Sequence, residues 1–244
     1  MSLAIDYSDG KFELGKNTLI LGFQNKGKTN LVLTNIFLRF QSRINFLFVV
    51  SKDTKYKEIT SHLFYEENLP KIFQEIQTLN RMENKLLIID EITNPKNPII
   101  ECILINSHYF NITVILVSQM GDFNIVSRDY IDCVAIGGEK SVTLVGNIFE
   151  KYGTCYGDFT HFVDVINGLG RDEFLFVPKG KMNVGIIRVN DHHLKYLYSY
   201  KMFIRHDILF NVHSDKIKHH DDLARKVQNM MNELITIKEK LENL

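Results

Sequence analysis

The residues with the clearest chemical potential lie near the start of the chain. An apolar run at 19–21 leads directly into a stretch in which Gly22 and Gly27 are followed by Lys28 and Thr29. In this Gly-x4-Gly-Lys-Thr pattern, the glycines let backbone N–H groups approach phosphate oxygens. The lysine would bridge the β- and γ-phosphates of a nucleotide, and the threonine would bind Mg²⁺. The sequence therefore predicts a phosphate-binding loop, or P-loop, for ATP and Mg²⁺.

The elements on either side of this loop have the setting that phosphate binding requires. Residues 17–22 are predicted to form a buried strand, and residues 30–40 carry apolar side chains at helical spacing. The helix would add the positive end of its dipole to the donors of the loop. The predicted nucleotide-binding residues are Gly22, Asn25, Lys26, Gly27, Lys28, Thr29 and Asn30.

The chain up to about residue 180 alternates strands with helical segments. Residues 1–16 are predicted to form a short β-rich lead-in, in which residues 11–14 are followed by a turn at Gly15 that leads into the P-loop strand. Helical patterns occupy 56–83 and about 98–108. Further apolar runs predict buried strands at 44–50, 85–91, 112–119, 130–136 and 173–177. Near-continuous apolar strands separated by helices indicate an α/β fold, with a mainly parallel sheet covered by helices on both faces.

Polar side chains follow two of these strands at the point where each strand ends. Asp90 and Glu91 end the third strand, and Gln119 ends the fourth. In such sheets, active sites lie at the carboxyl ends of the strands. Transfer of a phosphoryl group to water needs charge neutralisation, a metal and an oriented nucleophile. Asp90 would join Thr29 in holding Mg²⁺, Glu91 would orient and deprotonate the attacking water, and Gln119 would bond the γ-phosphate or that water.

This ordered set of residues resembles the FtsK–HerA superfamily of DNA-pumping ATPases. Within it, the set resembles the genome-packaging ATPases of double-stranded DNA viruses, the poxvirus-like group. His-Tyr-Phe-Asn-Ile-Thr at 108–113 is similar to that group's His-Tyr-Asn-Ile-Ser signature, and Arg-Asp-Tyr-Ile-Asp at 128–132 is similar to its Arg-x-Asn-Ile-Asp segment. The resemblance covers about residues 15–180.

The resemblance implies an enzyme with a RecA-like sheet that couples ATP hydrolysis to movement of double-stranded DNA. It further implies a homo-oligomeric ring, a hexamer in the family, that loads a viral genome into a capsid. Capsid or membrane proteins of a virion are implied partners, and the implied location is the virion or the host-cell cytoplasm.

One departure from the family pattern concerns an arginine. The family carries Gly-Arg directly before the histidine, where this chain has Asn106 and Ser107. If the family's arginine reaches the γ-phosphate in the neighbouring subunit, another residue must take that role here. Arg128 is the predicted replacement, with Arg81 as the second candidate.

The C-terminal part of the chain is predicted to be a separate unit, with a P-loop ATPase domain at 1–190 and an appendage at 191–244. The stretch 181–226 is locally basic, although Lys plus Arg and Asp plus Glu each total 29 in the whole chain. Apolar residues at alternating steps of four and three predict an amphipathic helix that packs on its own domain, joins subunits or docks on a partner. They are Leu223, Val227, Met230, Leu234, Ile237, Leu241 and Leu244.

Composition narrows the protein class. The three cysteines have no CxxC spacing, which favours reduced thiols. No signal peptide opens the chain, and no apolar run approaches the 18 residues of a membrane span. The sequence thus predicts a soluble, intracellular protein.

Two other functions fit the same residues. A nucleotide-switched scaffold would use the P-loop to order a complex, with slow turnover and nucleotide-dependent association. A small-molecule kinase would not need Glu91 as a base, so a Glu91→Gln variant would lose ATPase activity and keep phosphotransfer.

Overall fold

The computed structural model describes residues 5–6, 12–23, 25–60, 62–91, 94, 96–119, 128–138, 141–153, 158–179 and 185–189. All of them belong to the first of the two units into which the chain divides, Met1–Ile204. The predicted boundary at 190 and the predicted C-terminal helix lie outside the described residues, so both remain predictions.

The described strands form one eight-stranded sheet with the order β1-β8-β7-β6-β2-β5-β4-β3. Among these strands, β7 is antiparallel to both of its neighbours and every other pairing is parallel. The predicted mainly parallel sheet is therefore confirmed. The strands are β1 Ile5–Asp6, β2 Thr18–Leu21, β3 Phe46–Val50, β4 Lys85–Asp90, β5 Ile112–Ser118, β6 Cys133–Gly137, β7 Glu173–Pro178 and β8 Gly185–Arg188.

The helices begin where the sequence supplies a cap or a proline. Pro70 lies in the first turn of α2, as predicted. Asn97 accepts a hydrogen bond from the N–H of Ile99 and caps α3. The helix after the P-loop, α1, covers 28–40 and runs as α-helix Lys28–Leu31, π-helix Val32–Phe37 and α-helix Leu38–Phe40. The others are α2 Leu69–Thr78, α3 Pro98–Asn106, α4 Val142–Ile148 and α5 Phe159–Gly168. Short 3₁₀ turns lie at Thr54–Glu58 and Glu66–Asn68, and a π-helical turn lies at Phe149–Gly153.

Helices cover both faces of the sheet. Alternate residues of each strand point to opposite sides, and the apolar residues on each side pack against a different set of helices. Ile20 packs with α1 and with Tyr56 of the 3₁₀ turn. Leu19 and Leu21 belong to the opposite cluster, which holds α2, α3 and α5. Two apolar layers thus fix the strands, and the turns at the strand ends can carry polar residues. In the described part of the chain, no helix has the length and apolar character needed to cross a bilayer.

The predicted β-rich lead-in over residues 1–16 contains β1, Ile5–Asp6, but residues 12–14 do not belong to a strand, and the chain turns at residues 14–15. Phe12 is buried and sets its ring edge-on against Phe176, with ring centroids 5.4 Å apart. Gly15 adopts a φ of 77° and donates its N–H to Thr113 Oγ1. A single aromatic anchor and a left-handed glycine cannot support extended pairing, whereas the predicted turn at Gly15 is confirmed.

Candidate active site

A cleft of about 320 Å³ lies at the carboxyl ends of the parallel strands. This volume falls within the range of about 300–1,000 Å³ that is typical of small-molecule sites. The strand ends meet here because Leu21 pairs with Ser118, and Asp90 pairs with Val117, in adjacent strands. The lining residues are Asn25, Lys26, Gly27, Lys28, Thr29, Asn30, Asp53, Lys55, Asp90, Glu91, Val117, Ser118, Gln119, Arg171 and Asp172.

The P-loop curls around the N-terminus of α1. Gly27 caps this helix with a φ of 76°, and its carbonyl accepts the N–H of Leu31 at 2.8 Å. A Cβ at Gly27 would lie 2.5 Å from Asp172 Oδ1, and Asn25 is also left-handed with a φ of 62°. Position 27 therefore favours glycine because of its left-handed backbone, and a larger residue there would also require the Asp172 carboxylate to move.

Lys28 supplies the ammonium group of the loop. Its Nζ donates to the carbonyl oxygens of Gly22 at 2.7 Å and Phe23 at 2.8 Å. Burial lowers the pKa of Lys28, and the negative charges of Asp90 and Glu91 oppose that shift. The predicted residue Gly22 thus contributes its carbonyl at the end of β2 and is not among the residues that line the cleft.

Asp90 is the buried carboxylate of the cleft, with 6% of its surface exposed. Its Oδ2 accepts the Tyr56 hydroxyl at 2.8 Å and lies 3.3 Å from Thr29 Oγ1, while its Oδ1 accepts the N–H of Glu91 at 2.8 Å. Burial raises the pKa of Asp90, and the hydrogen bond from Tyr56 is the largest opposing effect. Burial also raises the pKa of Tyr56 well above its ordinary value, so this phenol stays protonated and donates.

The pair of Thr29 and Asp90 fits a magnesium site. Mg²⁺ in nucleotide sites is usually held by one or two carboxylates together with substrate phosphates and water. Within the described residues, no group of three or more His, Cys, Asp or Glu side chains forms a metal site. The Thr29 hydroxyl and the Asp90 carboxylate, next to a phosphate-binding loop, match the magnesium sites of nucleotide-binding proteins, in which phosphates and water complete the coordination.

Glu91 and Gln119 occupy the mouth of the cleft. Both are exposed and both line it, as the strand-end argument predicts. Glu91 adopts a φ of 60°, a left-handed conformation that is costly for a residue with a side chain. The structure thus brings the two predicted water- or phosphate-contacting residues to the same cleft as Lys28.

Arg128 and Arg81 do not line this cleft. The segment containing Arg128 lies at the amino end of β2, where Asp132 N–H donates to the Asn17 carbonyl at 2.9 Å. Arg81 stacks on the ring of Tyr109, with 4.0 Å from its guanidinium carbon to the ring centroid. Because the P-loop follows the carboxyl end of β2, Arg128 sits at the opposite edge of the sheet from the cleft of its own chain. A contact with a neighbouring subunit remains the prediction for it.

Comparison with known proteins identifies the fold. No known family profile matches the sequence, and no curated protein matches it. Among solved structures, the DNA-packaging ATPase B204 from Sulfolobus turreted icosahedral virus is 16% identical with a TM-score of 0.54, over 72% of this chain and 98% of that one. The genome packaging NTPase B204 from Sulfolobus turreted icosahedral virus 2, solved with ATP-gammaS, is 14% identical with a TM-score of 0.54, over 70% and 95% of the two chains. The chain has the fold of a P-loop NTPase.

A further solved structure shares the same P-loop NTPase fold. EssC (ATPases 2 and 3) from Geobacillus thermodenitrificans is 12% identical with a TM-score of 0.55, over 77% of this chain and 43% of that one. The likeness at these identities is one of fold.

The cleft also contains residues that the sequence patterns did not indicate. Asp53, Lys55, Arg171 and Asp172 line it, and Tyr56 contacts Asp90. Asp53 follows the carboxyl end of β3, so the strand-end argument that selected Asp90 could have found it. Arg171 donates from Nε to the Asn25 carbonyl at 3.1 Å. Arg171 and Asp172 come directly before β7. Because β7 runs antiparallel to β6, its first residues lie at the edge of the sheet where the parallel strands end. The sequence carries no signal for that reversal.

Proposed function

We propose that this protein is an ATP-driven double-stranded DNA translocase that packages a viral genome into a capsid. The observation that carries the proposal is the convergence of Lys28, Asp90, Glu91 and Gln119 on one cleft at the carboxyl edge of the sheet. The fold supports it, since similar structures are described as a DNA-packaging ATPase and as a genome packaging NTPase in complex with ATP-gammaS.

Each residue of the cleft has a part in binding or hydrolysis. The N–H groups of residues 25–30 and the Lys28 ammonium would hold the phosphates, and Lys28 would exchange its two loop carbonyls for phosphate oxygens. Thr29 and Asp90 would hold Mg²⁺, which when bound neutralises charge on the phosphates. Glu91 would take the proton of the attacking water, and Gln119 would orient that water or the γ-phosphate.

The proposed active form is a homo-oligomeric ring, a hexamer, on double-stranded DNA. Arg128 would act across the subunit interface, because it lies away from the cleft of its own chain. Capsid or membrane proteins of the virion are the proposed further partners, at the site of assembly in the host cytoplasm or in the virion.

Displacement of a third strand from a DNA triplex tests translocation. Purified protein is mixed with linear duplex DNA that carries a labelled triplex-forming strand, in the presence of Mg²⁺ and ATP. The proposal predicts release of that strand with ATP, no release with a non-hydrolysable analogue, and no release by a Lys28→Ala variant. DNA-dependent hydrolysis without displacement would contradict translocation.

A nucleotide-switched scaffold is the second candidate. One observation favours it: Arg128 and Arg81 both lie away from the cleft. Within a single chain, neither of these two predicted arginine fingers would therefore reach the γ-phosphate. The scaffold predicts association of chains or partners that depends on bound nucleotide, with slow hydrolysis that DNA does not accelerate.

A further inference from the structure

The segment that follows β3 forms a wall of the cleft beside Thr29. Asp53 caps the 3₁₀ turn Thr54–Glu58, because its Oδ1 accepts the N–H of Lys55 at 3.0 Å. Its own N–H donates to Ser51 Oγ at 2.9 Å. These bonds fix the Asp53 carboxylate and leave its second oxygen, Oδ2, 3.2 Å from Thr29 Oγ1.

The same turn also fixes the carboxylate of Asp90. Tyr56 has 0% of its surface exposed and packs in the core layer that contains α1. Its hydroxyl donates to Asp90 Oδ2 at 2.8 Å. The turn thus presents one carboxylate to Thr29 directly and holds a second one in place through Tyr56.

Carboxylate oxygens from two separate segments consequently lie beside the same hydroxyl group, that of Thr29. Thr29 Oγ1 has one proton to donate, yet Asp53 Oδ2 and Asp90 Oδ2 lie 3.2 Å and 3.3 Å from it. Both distances exceed the roughly 2.5–2.7 Å of a hydroxyl bonded to an ionised carboxylate. They are nearer to the separation of about 2.9 Å between adjacent oxygen ligands of octahedral Mg²⁺, whose bonds are about 2.0–2.1 Å long.

We propose that Asp53 supplies a second carboxylate to the Mg²⁺ site of Thr29 and Asp90, and that Tyr56 is a positioning residue for Asp90. This inference rests on the proposed function, in that it requires the cleft to bind a nucleotide with Mg²⁺. It makes the turn after β3 part of the active site, alongside the P-loop and the end of β4.

Calorimetric titration with a non-hydrolysable ATP analogue, in Mg²⁺ and in EDTA, tests the role of Asp53. Asp53→Asn removes the charge and keeps a good capping residue, so the turn should persist. The variant should lose about 10-fold or more of the affinity that Mg²⁺ adds, a loss typical of altered metal surroundings. Its affinity in EDTA should be unchanged or higher, because one negative charge near the phosphates is gone.

Asp172→Asn is the matched control, since Asp172 is an aspartate that lines the same cleft and lies beside Gly27. It should shift the affinities in Mg²⁺ and in EDTA equally. If Asp53→Asn also shifts both equally, or neither, Asp53 does not contact the metal and the inference is overturned.

Tyr56→Phe tests the positioning role, because it keeps the buried ring and removes only the hydroxyl that Asp90 accepts. We expect Mg²⁺ to raise the affinity for the ATP analogue by less than it does in the wild type, while the affinity in EDTA is unchanged. A loss of affinity in both buffers would mean that Tyr56 acts through the general packing of the fold, which contradicts the positioning role.

The wild-type protein separates failure of the inference from failure of the proposed function. If the wild type binds the analogue and Mg²⁺ strengthens that binding, the variants decide the inference by themselves. If the wild type binds no nucleotide, the proposed function fails and the inference is overturned with it.

Discussion

At the scale of single residues, the cleft separates the groups that bind from the group that would react. Asp90 is buried and holds hydrogen bonds on both of its oxygens, so its carboxylate has a fixed position. Glu91 is its neighbour in sequence but is exposed and turned by a left-handed backbone. This difference suits Asp90 to holding a metal and Glu91 to taking a proton from water.

A Glu91→Gln variant should therefore separate binding from hydrolysis. It keeps the size of the side chain and removes the proton acceptor, so steady-state ATP hydrolysis should fall about 10²- to 10⁴-fold. Affinity for ATP with Mg²⁺, measured by calorimetry, should stay within a few-fold of the wild type. Hydrolysis at the wild-type rate would exclude Glu91 as the base, and retained phosphotransfer to a small molecule would favour the kinase.

At the scale of elements, the amino ends of the strands are held by bonds that have no part in the proposed chemistry. Lys85, with 0% of its surface exposed, begins β4 and donates from Nζ to the carbonyls of Asn80, Glu83 and Phe110 at 2.7, 2.8 and 3.0 Å. This one ammonium group joins the loop before β4 to the loop before β5. The strand that carries Asp90 is thereby anchored at the end opposite the cleft.

Lys85→Met should lower the free energy of unfolding by about 3 kcal/mol, because buried carbonyl groups lose their donor. Lys71→Met, at an exposed position of α2, should change it by no more than about 0.5 kcal/mol. Urea denaturation followed by circular dichroism measures both. Equal effects of the two substitutions would show that the Lys85 bonds do not anchor β4.

Burial within β6 predicts a pH dependence of stability. Burial raises the pKa of Cys133 to about 12 from an ordinary value of 9.0. The unfolded chain therefore loses this proton first, so stability is intact below pH 9 and falls as the pH rises towards 12. A Cys133→Ser variant lacks this titration. Urea denaturation from pH 7 to 10.5 should show a steeper loss above pH 9 for the wild type, and parallel curves would contradict the burial.

The elements also explain how much of the site was predictable. Apolar strand patterns placed Asp90, Glu91 and Gln119 at strand ends, and parallel pairing then brought them together. Asp53 obeys the same rule but lies three residues beyond the last residue of β3, so it does not stand directly at the end of the apolar run as Asp90 does. Tyr56 and Arg171 depend on a 3₁₀ turn and on an antiparallel strand, which arise from tertiary packing and are not encoded in local periodicity.

At the scale of the whole molecule, the cleft and Arg128 lie at opposite edges of the sheet. The cleft lies at the carboxyl edge, and Arg128 lies near the amino end of β2. In a ring, residues from one edge of a subunit can approach the other edge of its neighbour. A finger at Arg128 would therefore act only after assembly.

Mixing two inactive variants tests this arrangement. Lys28→Ala should disable the cleft and keep the finger, while Arg128→Ala should keep the cleft and lose the finger, with a 10³- to 10⁵-fold lower rate. In a mixed ring, an Arg128→Ala cleft can face an intact Arg128 of a Lys28→Ala subunit. ATPase activity should reappear on mixing, and its absence from verified mixed rings would exclude Arg128 as a finger in trans.

The most direct measurement of the central claim is steady-state ATP hydrolysis with and without linear double-stranded DNA, using Glu91→Gln as the control. A DNA translocase couples ATP hydrolysis in the cleft to movement along DNA. DNA should therefore stimulate hydrolysis strongly, and the control should lose that stimulation. Tight ATP binding with a slow rate that DNA leaves unchanged would contradict the motor and favour the nucleotide-switched scaffold.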